Sequence, residues 1–230
     1  MDNKQPKVSV IMATYNDEST ISDSIESILN QTYQNIEFLI IDDYSTDETL
    51  KILKNFESKT KNIKIFENPN NIGLTKSLNI LIRNASGDLI ARQDADDISF
   101  SNRLFKQVHE LIHNQLDFCT TRALRSDSQK NIPGLGFFLP NKILMHYKNP
   151  FIHGTLLIKK EIFEKYGMYD ESFYFAQDYE LMKRLLHYKC NYKVLKDPEY
   201  LLNMTNNISN NFSKEQKRFA DLVRKLKYSK

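Results

Sequence analysis

No tryptophan occurs in this chain of 230 residues, and glycine, proline and cysteine are scarce, at six, six and two. Each shortage excludes something. The glycines form neither the G-x-G-x-x-G turn of dinucleotide-binding folds nor the G-x-x-x-x-G-K phosphate loop, so a nucleotide held here does not rest on a glycine cradle. Cys119 and Cys190 make no metal-ligand spacing, and two isolated thiols fit a reducing compartment. No apolar run approaches the ~20 residues needed to span a bilayer, and Met1 to Lys7 lack the apolar core of a signal peptide. The expectation is a cytoplasmic protein. A net charge of +3 demands no nucleic-acid partner. Hydrophobic content of 40% and charged content of 27% are those of an ordinary globular domain.

What the chain does have is a local excess of acid. Arg92-Gln93-Asp94-Ala95-Asp96-Asp97 places three carboxylates in four residues, directly after the strand-like stretch Asp88 to Ala91. Hard divalent cations such as Mn²⁺ or Mg²⁺ prefer oxygen ligands and bridge carboxylates to phosphates. The carboxyl end of a strand is also where α/β sheets bind ligands. The run therefore points to a metal-diphosphate site. An Asx-rich turn with helix capping is the plainer alternative. A calcium loop fits poorly, because its glycine and distal glutamate are missing.

Periodicity gives the scaffold. Short apolar runs at Val8–Ala13, Ile36–Ile41, Ile63–Phe66 and Asp88–Ala91 read as buried strands. Helices are expected after Ser19 (Ile21, Ile25, Ile28 and Leu29 inward), after Asp47 (Leu50, Leu53 and Phe56 inward) and over 74–84. This alternation predicts an α/β fold: one Rossmann-like domain with a mostly parallel sheet flanked by helices. The division expected is a domain over 1–212, with a nucleotide-binding half at 1–100 and an acceptor half at 101–212, then a basic helix at 213–230. A helix from Ser101, a strand at Thr155–Ile158 and helices at 160–165 and 178–188 furnish the second half. Residues 124–150 show no period and read as irregular, and 203–211 as a polar, asparagine-rich loop. In the terminal helix, capped by Ser213, the residues Phe219, Leu222, Val223 and Leu226 share a face ringed by lysine and arginine. That helix either docks on the domain or lies on an anionic membrane. Docking is favoured, since four apolar residues give a free helix little to gain.

Five elements occur in a fixed order: Val8-Ser-Val-Ile-Met-Ala-Thr-Tyr-Asn16; Asp42-Asp43-Tyr-Ser-Thr-Asp47; Asn71-Ile-Gly73 with Asn79 and Gly87; Asp94-Ala-Asp-Asp97 followed by Arg103-Leu-Phe-Lys-Gln107; and His153-Gly-Thr155 followed by Tyr166-Gly-Met-Tyr-Asp170 and Gln177-Asp178-Tyr-Glu-Leu181. Over residues 6 to 188 this succession resembles the family 2 glycosyltransferases, which have the A-type nucleotide-sugar fold. The resemblance implies an inverting, metal-dependent transferase. It would move a sugar from a UDP-linked donor to a hydroxyl on a glycan or lipid-linked glycan, in building a surface polysaccharide or lipopolysaccharide at the inner face of a membrane.

The resemblance also implies roles. Ala13, Thr14 and Tyr15 would line the uracil, and Asp43 would accept from its imide N–H. Asp94 falls to the ribose or the metal surroundings. Asp96 is the expected direct metal ligand, and Asp97 either a second ligand or a partner behind it. His153 would sit near the donor sugar or the metal, or else be structural. Lys76 and Arg103 would meet the diphosphate or else be surface charges. Asp178 is the expected general base, or simply the cap of the helix that follows. Gln177 departs from the Glu-Asp pair common in the family, which bears on acceptor positioning. The Gln-x-x-Arg-Trp motif of processive synthases is absent, so a single-addition enzyme is expected. Two rivals are a nucleotidyltransferase, which lacks its glycine-rich basic loop here, and a sugar-nucleotide binding protein without turnover.

Overall fold

The computed structural model describes residues 5–204 and 213–228. Strands β1 (Val8–Thr14), β2 (Ile36–Asp42), β3 (Ile63–Glu67) and β4 (Leu89–Arg92) are all parallel, and helices α1 (Ile21–Leu29), α2 (Thr49–Lys59) and α3 (Leu74–Asn84) connect them. The second half adds β5 (Ile98–Ser99), β6 (Phe118–Arg125), β7 (Asn131–Ile132), β8 (Leu157–Lys159) and β9 (Tyr192–Leu202). The order across the sheet is β3-β2-β1-β4-β8-β6-β9-β5, with β7 paired to β6. β8 enters antiparallel between β4 and β6, so β6 and β9 run the same way as the first four strands. The sheet is mostly parallel, as expected, and it runs unbroken across the two halves.

Both faces are covered, which explains why the early strands read as apolar runs rather than alternations. In β1, Val8, Val10 and Met12 face α1, α2 and α4 (Arg103–His113). Ile11 faces the other way, onto α3, α6 (Lys160–Tyr166) and α7 (Gln177–His187).

Several expectations shift. The second helix starts at Thr49, and Asp47 caps it from two residues upstream, accepting the Thr49 N–H at 3.0 Å. Residues 124–150 are not simply irregular: β6 runs to Arg125, β7 pairs with it, a 3-10 turn covers Leu135–Phe138, and a short helix α5 covers Asn141–Leu144. The strand β9 carries no clear alternation, because its pairing with β6 slips register twice between Thr121 and Leu124. Asp178 is the second residue of α7, and Ala176 holds the cap position, so the plain capping role fails. The last helix, α8 (Ser213–Lys225), docks: Val223 is buried while Phe219 and Leu226 pack on the core. Leu222 faces outward instead of joining that face. Most of the polar loop expected at 203–211 lies outside the described residues. Among the described residues, no helix is long and apolar enough to cross a membrane.

Candidate active site

The carboxyl ends of β1, β2 and β4 meet at one edge, and the loops leaving them are stitched together. Thr14 is buried and its hydroxyl donates to Asp17 Oδ2 at 2.7 Å, while Tyr15 N–H donates to the same oxygen at 3.1 Å. Asn16 N–H donates to Ser45 Oγ, and Thr46 N–H to Asn16 Oδ1, tying the first loop to the second. Ala13 is half-buried at the strand end, whereas the Tyr15 ring is exposed. Asp43 is buried and braces the loop before α3. Its Oδ1 accepts from Asn68 Nδ2 (2.7 Å) and Ile72 N–H (2.9 Å), and its Oδ2 from Gly73 N–H (2.8 Å). Gly73 has φ of +88°, a conformation a glycine takes without strain. Asp42, beside it, keeps one buried carboxylate oxygen with no partner. Lys76 projects from the first turn of α3 and is exposed.

The acid run is folded around two buried arginines. Arg92 donates to Asp94 Oδ1 at 2.6 Å and to the Gln93 carbonyl. Arg103, fully buried, donates to the Arg92 and Gly154 carbonyls, each at 2.9 Å. Burial pulls its pKa down to about 10, so it stays charged at neutral pH. It is therefore neither a surface charge nor a diphosphate contact, which corrects both expectations. Gln93 closes the turn from inside, donating to the Asp94 and Asp97 carbonyls.

The three acids of the run have different surroundings. Asp94 is partly exposed and held by Arg92. Asp96 is mostly buried, and its pKa is pushed up to about 6 by burial, then by the charges of Asp94 and Asp17. Asp97 is buried, and its Oδ1 accepts the Asn203 N–H at 2.7 Å, so it pins the end of β9. Burial, with Asp94 and Asp96, drives its pKa upward. Asp17 is likewise raised by burial and by Asp47 and Asp94. Among the described residues, no three His, Cys, Asp or Glu side chains form a closed metal cage. Mg²⁺ characteristically uses one or two carboxylates and completes its shell with substrate phosphates and water. Burial first, and then neighbouring carboxylates, raise Asp96 and Asp17, an imbalance such a cation would relieve. The residues present fit a divalent cation.

From the other half come His153 and Asp178. His153 Nε2 shares a hydrogen bond with the Tyr169 hydroxyl at 2.6 Å, leaving Nδ1 for any other partner. Burial and then the Arg92 charge depress its pKa, so the ring is neutral. Asp178 Oδ2 accepts from Asn149 Nδ2 at 2.7 Å. Asp178 and Asp94 both act electrostatically on His153 and on Tyr169, so the expected base and the acid run converge on one place.

The family model for glycosyl transferase family 2 matches residues 9–167. The chain belongs to glycosyl transferase family 2. Among similar proteins, EpsE of Bacillus subtilis, named as a glycosyltransferase, is 43% identical over 161 residues, which is 68% of this chain and 58% of EpsE. The O-antigen biosynthesis glycosyltransferase WbnJ of Escherichia coli is 35% identical over 185 residues, covering 78% of this chain and 72% of WbnJ. The Escherichia coli enzyme WfgD, a UDP-Glc:alpha-D-GlcNAc-diphosphoundecaprenol beta-1,3-glucosyltransferase, is 42% identical over 112 residues, covering 48% of this chain and 43% of WfgD. The chain thus spans about three-fifths of EpsE and under half of WfgD. Among solved structures, TarS 1-349 of S. aureus in complex with UDP-GlcNAc superposes with a TM-score of 0.79 at 20% identity, covering 94% of this chain and 65% of that one. The mannosyltransferase PcManGT of Pyrobaculum calidifontis, in complex with GDP-Man and Mn²⁺, gives 0.73 at 18% identity, covering 99% and 67%. These likenesses identify the A-type fold of this family 2 chain.

Three residues of this candidate site escape a reading of the sequence. Asp17 reads there as a strand breaker, although it is a fourth acid among Asp94, Asp96 and Asp47. Tyr200 lies on the unread strand β9, where its hydroxyl accepts the Asp94 N–H at 3.0 Å. Asn149 lies in the stretch taken as irregular. Only Asp17 leaves a signal, its position two residues after Tyr15 in the first motif.

Proposed function

We propose that the protein is an inverting, metal-dependent glycosyltransferase that takes a UDP-linked sugar and adds it to a hydroxyl acceptor during surface-glycan assembly. The observation that carries this reading is the packing of the His153-Gly154 turn against the Asp94 carboxylate, with the charges of Asp17 and Asp94 felt at Asp96 and that of Asp178 at His153. The names of WbnJ and WfgD support the surface-glycan setting, and WfgD's name supports a UDP donor with a lipid-linked acceptor. Tyr15 offers an exposed aromatic face to a base, with Ala13 and Thr14 behind it. Asp43 keeps a free lone pair on Oδ2 for an imide N–H. Lys76 would approach the diphosphate.

Asp96 would be the principal holder of Mn²⁺ or Mg²⁺, with Asp97 supporting from behind and His153 available through Nδ1. The cation would act as a Lewis acid on the departing diphosphate. Asp178 takes the acceptor hydroxyl proton while that oxygen bonds to the anomeric carbon and the bond from carbon to diphosphate oxygen breaks. One displacement inverts the centre. Arg92 holds the Asp94 carboxylate in place for the donor, and Asn149 orients the Asp178 carboxylate.

The test is UDP release from a panel of UDP-sugars with Mn²⁺, Mg²⁺ or EDTA, given a polyprenyl-diphosphate-linked sugar as acceptor. Release from one donor, abolished by EDTA and by Asp96→Ala, is expected. Asp178→Asn should lose turnover by about 10²–10⁴-fold and keep UDP binding. Metal-dependent UDP binding with no turnover under any condition would replace the enzyme with a binding protein.

A further inference from the structure

Between Ser128 and Lys160 the sequence has no aspartate or glutamate, in a chain that holds 29 of them. The same stretch carries Lys130, Lys142, Lys148, Lys159 and Lys160. Its middle part also holds five of the twelve large hydrophobic residues that are exposed among the described residues. Leu135, Phe138, Leu139, Ile143 and Tyr147 are all more than half exposed, from 54% for Leu139 to 89% for Leu135. The segment is nevertheless anchored. Met145 is buried, and its carbonyl accepts from the Tyr179 hydroxyl. Phe151 is buried against Phe118 and Tyr192. The Tyr147 carbonyl accepts from Arg224. A groove of about 460 Å³ adjoins it, lined by Lys142, Met145, His146, Lys183, Leu226 and Lys227 among others, with no carboxylate.

We propose that residues 130–148 form a docking surface for the anionic face of a lipid bilayer. Large apolar side chains projecting beside lysines, without any acid between, match the acyl boundary and the headgroup layer together. A protein partner of ordinary composition would not require an acid-free stretch. The position fits the chemistry as well: Asn149, one residue past the segment, holds the Asp178 carboxylate. A bilayer seated on 130–148 therefore lies beside the acceptor side of the site. The terminal helix is not the docking element, because its apolar face is spent on the core. The proposal extends the transferase reading without depending on it, since vesicle binding requires neither donor nor turnover.

Flotation with phosphatidylglycerol-containing vesicles and with pure phosphatidylcholine vesicles tests it. The full chain should co-float with the first and not the second, and release as salt is raised. Leu135→Ser/Phe138→Ser/Ile143→Ser should lower partitioning at least about tenfold. Lys142→Glu/Lys148→Glu should lower it by about fivefold or more per site. These are exposed positions, so thermal midpoints should match the unmodified chain. Lys217→Glu/Lys225→Glu on α8 should float like the unmodified chain. Absence of flotation on anionic vesicles overturns the proposal. So does equal flotation of the apolar triple variant, or loss confined to the α8 variant. A dimer in size-exclusion chromatography that the triple variant dissolves, without vesicle binding, would assign the surface to a second copy instead. UDP release, measured separately, distinguishes any of these from failure of the transferase reading.

Discussion

Adding one methyl group at Gly154 tests whether the site is as rigid as its contacts imply. A Cβ at that position would lie 2.5 Å from the Tyr200 hydroxyl oxygen, 2.6 Å from Asp94 Oδ2 and 2.8 Å from Tyr200 Cζ. Both neighbours, or one of them and the turn itself, must move, since none of these is an attainable approach. Tyr200 has nowhere to go: it is fully buried, the Arg103 guanidinium sits 5.4 Å over its ring, and its hydroxyl holds the Asp94 N–H. Asp94 must therefore give way, against its 2.6 Å bond to Arg92, and the turn carrying residue 154 must itself back away from Tyr200. Relief to ordinary contact needs a shift of roughly 1 Å. Misplacing a site group by that much costs about 10²-fold in rate. Overpacking costs about 1–3 kcal/mol, which is about 2–12 °C of midpoint for a chain of this size. The assay is UDP release for Gly154→Ala beside Gly136→Ala, whose added methyl meets nothing within 4 Å. The expected result is a loss of about 10²-fold with a lowered midpoint for the first and no change for the second. Activity within about twofold of the unmodified enzyme, at an unchanged midpoint, would refute the claim that Tyr200 and Asp94 are fixed against this turn.

Other perturbations follow the same physics. Asp96 has its pKa raised to about 6, so the cation-free folded state favours the neutral acid, and its contribution to stability is lost as pH rises through 6. In EDTA, Asp96→Asn should match the unmodified chain near pH 3, gain on it between about pH 4 and 6, and exceed it by about 3 kcal/mol near pH 7.5, read by thermal or urea unfolding. Parallel pH curves for the two would refute the charge-repulsion account. Tyr200→Phe leaves the Asp94 N–H without its acceptor and should cost about 1–3 kcal/mol together with a fall in turnover. Arg184→Met strands the buried Glu180 carboxylate, which Arg184 meets at 2.8 and 2.9 Å. It should cost about 3–5 kcal/mol while leaving UDP affinity of the folded protein unchanged.

The first hundred residues were legible because the physics there is local. Val8–Thr14 and Ile36–Asp42 are buried on both faces, so they appear as unbroken apolar runs, and their helices keep a 3.6-residue period. The elements of the second half that were missed owe their form to distant partners. Residues 118–125 contain two threonines and two arginines and look nothing like a strand. They become one by pairing with β8, β9 and β7. Tyr200 has no local mark at all, because its partner, the Asp94 N–H, lies 106 residues away in the chain. Arg103 shows the converse. Its place in the fourth motif was visible, but a fully buried arginine cannot be told from a surface one without knowing what covers it.

Arg92 and Arg103 also explain how the acid run is held together. Asp17, Asp94, Asp96 and Asp97 crowd one sheet edge, and burial penalises the carboxylates of Asp17, Asp96 and Asp97. Arg92 bonds Asp94 directly, whereas Arg103 bonds only carbonyls and the Gln93 side chain. The positive charge is thus placed behind the acid run, where it steadies the turn without neutralising the outermost carboxylates. A salt bridge to Asp96 would have been the more stable arrangement for the empty protein, and it would have left nothing to attract a cation. Asp96 is instead raised by burial and then by the charges of Asp94 and Asp17, while Arg92 and Arg103 brace the turn that carries it. The site holds its acids at some cost to stability, which binding of cation and diphosphate together would return.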